Sequence, residues 1–116
     1  MSRKILVVDD ELPILTMLEA VFSSQGYTVF TADSGEAGLR LLKRESVPCM
    51  FLDLNLPGMD GLELCRRIRR DDPISVIHAM TGYNNLFLLF HCREAGFDDY
   101  FLKPLQVSTM LEAAGR

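Results

Sequence analysis

The stretch Cys49-Met50-Phe51-Leu52-Asp53-Leu54-Asn55 constrains this chain more than any other. It is an apolar run with a carboxylate set near its end, followed at once by Leu56-Pro57-Gly58-Met59-Asp60-Gly61. A run of this length between turn residues predicts a strand buried on both faces, which demands helices above and below its sheet. Asp53 is the exception within it. A carboxylate is costly to bury alone, so at a strand end it either faces a solvated cleft or meets a cation. In open parallel α/β sheets, ligand sites form at the carboxyl ends of the strands.

The rest of the chain supplies the layers this strand requires. Ile5 to Val8 is a short β-branched and apolar run, again ended by carboxylates, Asp9 and Asp10, and predicts a first buried strand. Pro13 suits a first helical turn, and Ile14, Leu15, Leu18, Val21 and Phe22 recur at helical spacing until Gly26. Tyr27 to Thr31 reads as a second, more polar strand at a sheet edge. Asp33 or Ser34 can cap a second helix whose buried face is Ala37, Leu41 and Leu42. Beyond Asp53, Asp60 leads Leu62, Leu64, Cys65 and Ile68 into a third helix. Ser75 to Met80 is a fourth strand, Asn84 to Ala95 a fourth helix stopped by Gly96, Asp99 to Leu102 a fifth strand, and Gln106 to Ala114 a last helix. Five alternations of strand and helix imply a doubly wound α/β fold: a five-stranded parallel sheet with five helices on its two faces.

Composition narrows the function classes. At 116 residues the chain is expected to be one domain spanning 1–116. A net charge of −4 leaves no electrostatic footprint for nucleic acid. The basic cluster Arg66, Arg67, Arg69 and Arg70 reads as a solvated helix end. Cys49, Cys65 and Cys92 lack the spacing of a zinc site or a disulfide framework, which suggests reduced thiols in a cytoplasmic protein. No stretch has the apolar length of a membrane span. His78 and His91 have no partner at metal-ligand spacing and are read as structural.

Collecting the polar residues at the strand ends gives Asp9 and Asp10, then Asp53, then Thr81, then Lys103. A flavodoxin-like strand order 2-1-3-4-5 sets these four ends side by side. Three carboxylates converging without a cation would repel one another. A hard divalent ion, Mg²⁺ or Mn²⁺, resolves the conflict. Lys103 supplies a compact positive charge for a phosphoryl oxygen, and Thr81 a hydroxyl. The chemistry that suits this set is phosphoryl transfer to Asp53.

With those residues in place, the chain resembles the receiver domains of two-component response regulators along almost its whole length. The matching segments are Val7-Val8-Asp9-Asp10-Glu11, Leu52-Asp53-Leu54-Asn55-Leu56-Pro57-Gly58-Met59-Asp60-Gly61, Thr81-Gly82, and Ala95-Gly96-Phe97-Asp98-Asp99-Tyr100 leading to Lys103-Pro104. The resemblance implies that Asp53 accepts a phosphoryl group from a histidine kinase, a phosphotransfer protein or a small donor. It implies that Asp9, Asp10, Asp53 and the Asn55 carbonyl hold the metal, that Thr81 and Lys103 hold phosphoryl oxygens, and that the peptide bond before Pro104 is cis. Thr81 and Tyr100 would form the switch, changing a surface built from the fourth helix, fifth strand and fifth helix. The resemblance places kinase specificity on the first helix around Ile14, Leu15 and Leu18.

Two features depart from the common receiver pattern. Tyr83, two residues after Thr81, stands where an attacking water would approach, and with Asn55 would set the lifetime of the phosphoryl group. Leu86-Phe87-Leu88-Leu89-Phe90 cannot all face the sheet, because a helix buries one stripe. It either mixes core packing with a stray exposed side chain or offers a surface for a homodimer or an output partner. The rival class is an enzyme, a phosphatase with an aspartate nucleophile. Such enzymes resembling the haloacid-dehalogenase type carry a second Asp two positions on as general acid, and here that position is Asn55. A signalling domain without turnover of external substrates is therefore expected. A degenerate receiver that binds partners without phosphorylation is disfavoured, since every group of the site is present.

Overall fold

The computed structural model describes residues 3–83 and 85–116. Strand β1 (Lys4–Val8) leads to α1 (Leu12–Ser24), β2 (Thr28–Ala32), α2 (Gly35–Leu42), β3 (Cys49–Asp53), α3 (Gly61–Asp71), β4 (Val76–Thr81), α4 (Leu86–Ala95), β5 (Asp99–Leu102) and α5 (Val107–Ala114). The strands pair in parallel in the order β2-β1-β3-β4-β5. This is the flavodoxin-like order, with β3 at its centre and all five of its residues buried.

Alternation along the strands divides the interior into two layers. Leu6, Val8, Met50, Leu52, Ile77 and Ala79 pack beneath α2, α3 and α4 with Leu41, Leu64, Cys65, Ile68 and Cys92. Ile5, Val7, Cys49, Phe51 and Met80 pack beneath α1 and α5 with Leu15, Leu18, Phe22, Met110 and Ala113. In this second layer Phe51 stacks on Phe22 at 5.3 Å and meets His78 at 4.9 Å. His78, 1% exposed, also takes the edge of Phe101 at 5.3 Å, and neither of its ring nitrogens has a hydrogen-bond partner among the described residues.

The caps explain where the helices begin. Ser34 accepts from the Ala37 amide and Asp60 from the Glu63 amide, each satisfying a donor that the first turn leaves free. Gly96, at φ +109°, ends α4 in the left-handed conformation that favours glycine. Asn84, the expected first residue of the fourth helix, lies outside the described residues; the helix begins at Leu86 with Asn85 as its cap.

Four expectations need correction. Gly38 joins Leu41 on the buried face of α2, where a Cβ would come within 3.2 Å of Val8 Cγ2, while Ala37 and Leu42 pack half-buried against the same core. The fourth strand is shifted by one residue, running from Val76 to Thr81, so Thr81 is its last residue. Leu15 and Leu18 are core residues, 7% and 0% exposed, and cannot form a recognition surface on α1. Arg69 is not a solvated helix-end cation. Its guanidinium donates to the carbonyls of Gly96 (2.9 Å), Ser75 (2.7 Å) and Asp72 (3.2 Å) and to the Asp98 carboxylate (2.9 Å). That carboxylate also accepts from the Ile77 amide, so one planar fork ties the end of α3 to the entry of β4 and the turn before β5.

Candidate functional site

Parallel register brings the C-terminal ends of β1, β3, β4 and β5 to one edge of the sheet, and the polar residues there meet. Asp9 follows β1, Asp53 closes β3, Thr81 closes β4 and Lys103 follows β5. All of the first three are buried: Asp9 at 0%, Asp53 at 3% and Thr81 at 3% exposure. Asp10 is exposed at the rim. Carboxylate oxygens of Asp9, Asp10 and Asp53 lie within 4.8 Å of one another.

Local backbone bonds fix each carboxylate. Asp53 Oδ1 accepts from the Asn55 amide at 3.1 Å, and Asp9 Oδ1 accepts from the Glu11 amide at 2.9 Å. Each carboxylate therefore has its second oxygen free to face the cleft. The Lys103 ammonium lies between them, 3.3 Å from Asp53 Oδ2, 3.0 Å from Asp9 Oδ2 and 2.9 Å from Glu11 Oε2. The Asp9 contact is an ion pair whose angle makes no hydrogen bond, so Asp9 Oδ2 is buried without a hydrogen-bond partner among the described residues. The Lys103–Pro104 peptide is cis. The Lys103 amide donates to the Thr81 carbonyl at 2.8 Å.

Burial raises the Asp53 pKa above the ordinary carboxylate value, and the nearby Asp9 charge adds to this, against the pull of the Asn55 amide and of Lys103. For Lys103 burial acts the other way, towards loss of its proton. The contacts to Glu11 and Asp9 and the charge of Asp53 outweigh it, and the ammonium is held above the usual lysine value.

The fit of a hard divalent cation can be judged from the donors present. Three carboxylates offer oxygen ligands, and one buried oxygen lacks a hydrogen bond, which is the donor set Mg²⁺ or Mn²⁺ takes and a soft metal does not. Thr81 Oγ1 accepts from the Tyr83 amide at 3.1 Å, which fixes the start of the loop towards α4. Tyr83 itself is 65% exposed. Tyr100 is half-buried and lines a cavity of about 100 Å³ with Leu89, Cys92 and Phe97. Because Ala79 pairs with Tyr100 and Thr81 with Leu102, Thr81 and Tyr100 lie on the same face of the sheet on neighbouring strands.

Comparison with known proteins agrees with this geometry. The family model for the response regulator receiver domain matches residues 5–115. The chain belongs to the response regulator receiver domain family. The sporulation initiation phosphotransferase F of Bacillus subtilis is 34% identical over 113 residues, covering 97% of this chain and 91% of that protein. The transcriptional regulatory protein AfsQ1 of Streptomyces coelicolor is 43% identical over 102 residues, covering 88% of this receiver domain but 45% of the relative. The chain thus spans less than half of that relative and nearly all of the first. Among solved structures, a CheY-like receiver domain protein from Methanospirillum hungatei superposes with a TM-score of 0.94 at 30% identity, covering 99% of this chain and 92% of that one. Chemotaxis protein CheY4 of Vibrio cholerae reaches 0.96 at 24% identity, covering 100% and 98%, and at that identity attests the fold.

This is a receiver domain of the two-component type, whose function is that of a phosphoacceptor signalling switch. Receiver domains in general bind Mg²⁺ through an acidic pocket, and Asp9, Asp10 and Asp53 form an acidic cluster here. No helix among the described residues is long and apolar enough to cross a membrane.

Two participants were not assigned from sequence. Glu11 lies within the acidic motif, but nothing in its spacing showed that it reaches Lys103, 92 residues away. For α4 the sequence left two readings open, and the structure shows more than one stray apolar side chain exposed. Leu88 and Leu89 are half-buried, while Leu86, Phe87 and Phe90 stand 84%, 75% and 58% exposed.

Proposed function

We propose that Asp53 is the phosphoacceptor of this domain. Asp9, Asp10, Asp53 and the Asn55 carbonyl would hold Mg²⁺, and Thr81 and Lys103 the phosphoryl oxygens. The observation that supports this reading is the Lys103 ammonium suspended between the Asp9 and Asp53 carboxylates, 3.0 and 3.3 Å away. An Asp53 oxygen attacks the phosphorus of the donor, a P–O or P–N bond breaks, and its electron pair leaves with the donor. The metal, when bound, supplies positive charge against the oxygens of the transferring group. Lys103 neutralises a further phosphoryl oxygen, and the Asn55 amide holds the Asp53 carboxylate in place for attack. Histidine kinases or phosphotransfer proteins are the donors this reading calls for.

Thr81 then turns its hydroxyl to the phosphoryl group, and Tyr100, on the same sheet face, moves into the space beside it. The face of α4, β5 and α5 carries the output. The apolar side chains of Leu86, Phe87 and Phe90 support that assignment, since exposed apolar clusters mark contact surfaces. Asn55 and Tyr83 set the lifetime of the acyl phosphate, and the domain acts as a switch and not as a turnover enzyme.

The test is intact-mass measurement after incubation with acetyl phosphate, with and without Mg²⁺, on the parent and on Asp53→Asn. A Mg²⁺-dependent gain of about 80 Da, one phosphoryl group, that vanishes in the variant is expected. A gain that persists in Asp53→Asn would overturn the assignment.

A further inference from the structure

Glu11 has no task in the phosphoacceptor reading, yet its carboxylate makes the shortest of the three contacts to Lys103, at 2.9 Å against 3.0 Å for Asp9 and 3.3 Å for Asp53. Its position makes this more telling. Glu11 is the cap residue of α1, but its side chain makes no cap hydrogen bond. The carboxylate turns instead to the Lys103 ammonium, which reaches in from the end of β5 to the end of β1. Asp9 and Asp53 are buried and pinned by backbone amides, whereas the Glu11 side chain is 57% exposed.

The ammonium donates to the Glu11 and Asp53 carboxylates and is paired by charge alone with Asp9, so three carboxylates surround it. A phosphoryl oxygen must therefore compete with these carboxylates for the ammonium. Asp53 becomes the acyl phosphate itself and Asp9 is held beneath it, so Glu11 is the partner to be displaced. We propose that Glu11 is a positioning residue, which draws the Lys103 ammonium outward in the resting domain and competes with the incoming phosphoryl group for it. The inference rests on Asp53 as the phosphoacceptor. Glu11 thereby slows phosphorylation and keeps the resting state from being charged by weak donors. Removing its charge raises the phosphorylation rate about three- to fivefold, the scale of one partly exposed charged contact.

The test has two arms on the full chain. The first measures the rate of phosphorylation by acetyl phosphate at saturating Mg²⁺ for the parent, Glu11→Gln and Glu11→Asp. The second records the Lys103 Cε resonance in unphosphorylated protein; with only Lys4, Lys43 and Lys103 in the chain, Lys103→Arg assigns it. The expected result is a faster Glu11→Gln with a displaced Lys103 resonance, and a Glu11→Asp closer to the parent in both. A Glu11→Gln rate equal to or below the parent's, or a faster rate with the Lys103 resonance unmoved, overturns the inference. A parent that gains no phosphoryl group, or gains it when Asp53 is Asn, overturns the phosphoacceptor reading instead. The resonance arm still reports whether Glu11 holds Lys103.

Discussion

Replacing His78 by leucine tests whether a neutral imidazole is locked into the core. His78 is 1% exposed between Phe51 and Phe101, with both ring nitrogens lacking a partner among the described residues. Burial lowers its pKa below the ordinary 6.5, against the opposing charges of Asp99 and Asp98. The unfolded chain therefore takes up a proton below pH 6.5 that the native state refuses. Stability contributed by the neutral form is complete above that pH and is lost as the pH falls towards the depressed native value. The slope is at most about 1.4 kcal/mol per pH unit, so by pH 5 the parent loses up to about 2 kcal/mol on this account. That is a substantial part of the roughly 5–15 kcal/mol typical of a domain. At pH 7.5 two effects nearly cancel. Leucine relieves about 1–3 kcal/mol of unpaired polar burial and forfeits about 0.5–1.5 kcal/mol for each aromatic contact. The informative quantity is thus the difference between parent and His78→Leu in urea unfolding followed by circular dichroism at pH 7.5, 6.5, 5.5 and 5. The variant should gain on the parent steadily as the pH falls. Parallel curves would refute the account.

Gly61→Ala should destabilise by about 3 kcal/mol, because a Cβ there would strike the Asp53 carbonyl and approach the Leu54 Cα to 2.7 Å, both backbone; urea titration at neutral pH checks it. Arg69→Ala should cost roughly 3 kcal/mol by leaving the Gly96 and Ser75 carbonyls without their donor, and Arg69→Lys should recover only part, since an ammonium cannot reproduce the planar fork. Tyr83→Ala should change the dephosphorylation rate of the phosphorylated domain, and an unaltered half-life by mass would remove Tyr83 from that role. Phe87→Asp with Phe90→Asp should abolish any concentration-dependent association in sedimentation velocity; an associating double variant would move the contact off α4.

Much of the fold was legible because each layer repeats its signal. The buried run at Cys49 fixed a two-sided sheet, and Ser34, Asp60 and Gly96 marked helix ends by the chemistry of capping. The site was legible for a related reason: carboxylates have few grounds to end apolar strands. What escaped the sequence was any fact set by side-chain reach between distant elements. Arg69 sits in a run of four arginines, and nothing local distinguishes the one that turns inward from Arg66 and Arg67, which pair with Glu63 on the helix surface. Leu15 and Leu18 have the same spacing whether their stripe faces a core or a partner, and only the docking of α1 on β1 and β3 decides it. The place of Gly38 on the buried face of α2 depends on a helix-to-strand distance that no periodicity records.

The groups around Asp53 come from positions 9 to 103, one from nearly every strand. No stretch shorter than Asp9 to Lys103 contains all of these groups. A chain leaving the ribosome presents the acidic strand ends first and the Lys103 ammonium last, at the end of β5. Until then it carries the carboxylates without the charge that balances them. The cleft is thus assembled only when the final strand takes its place at the edge of the sheet.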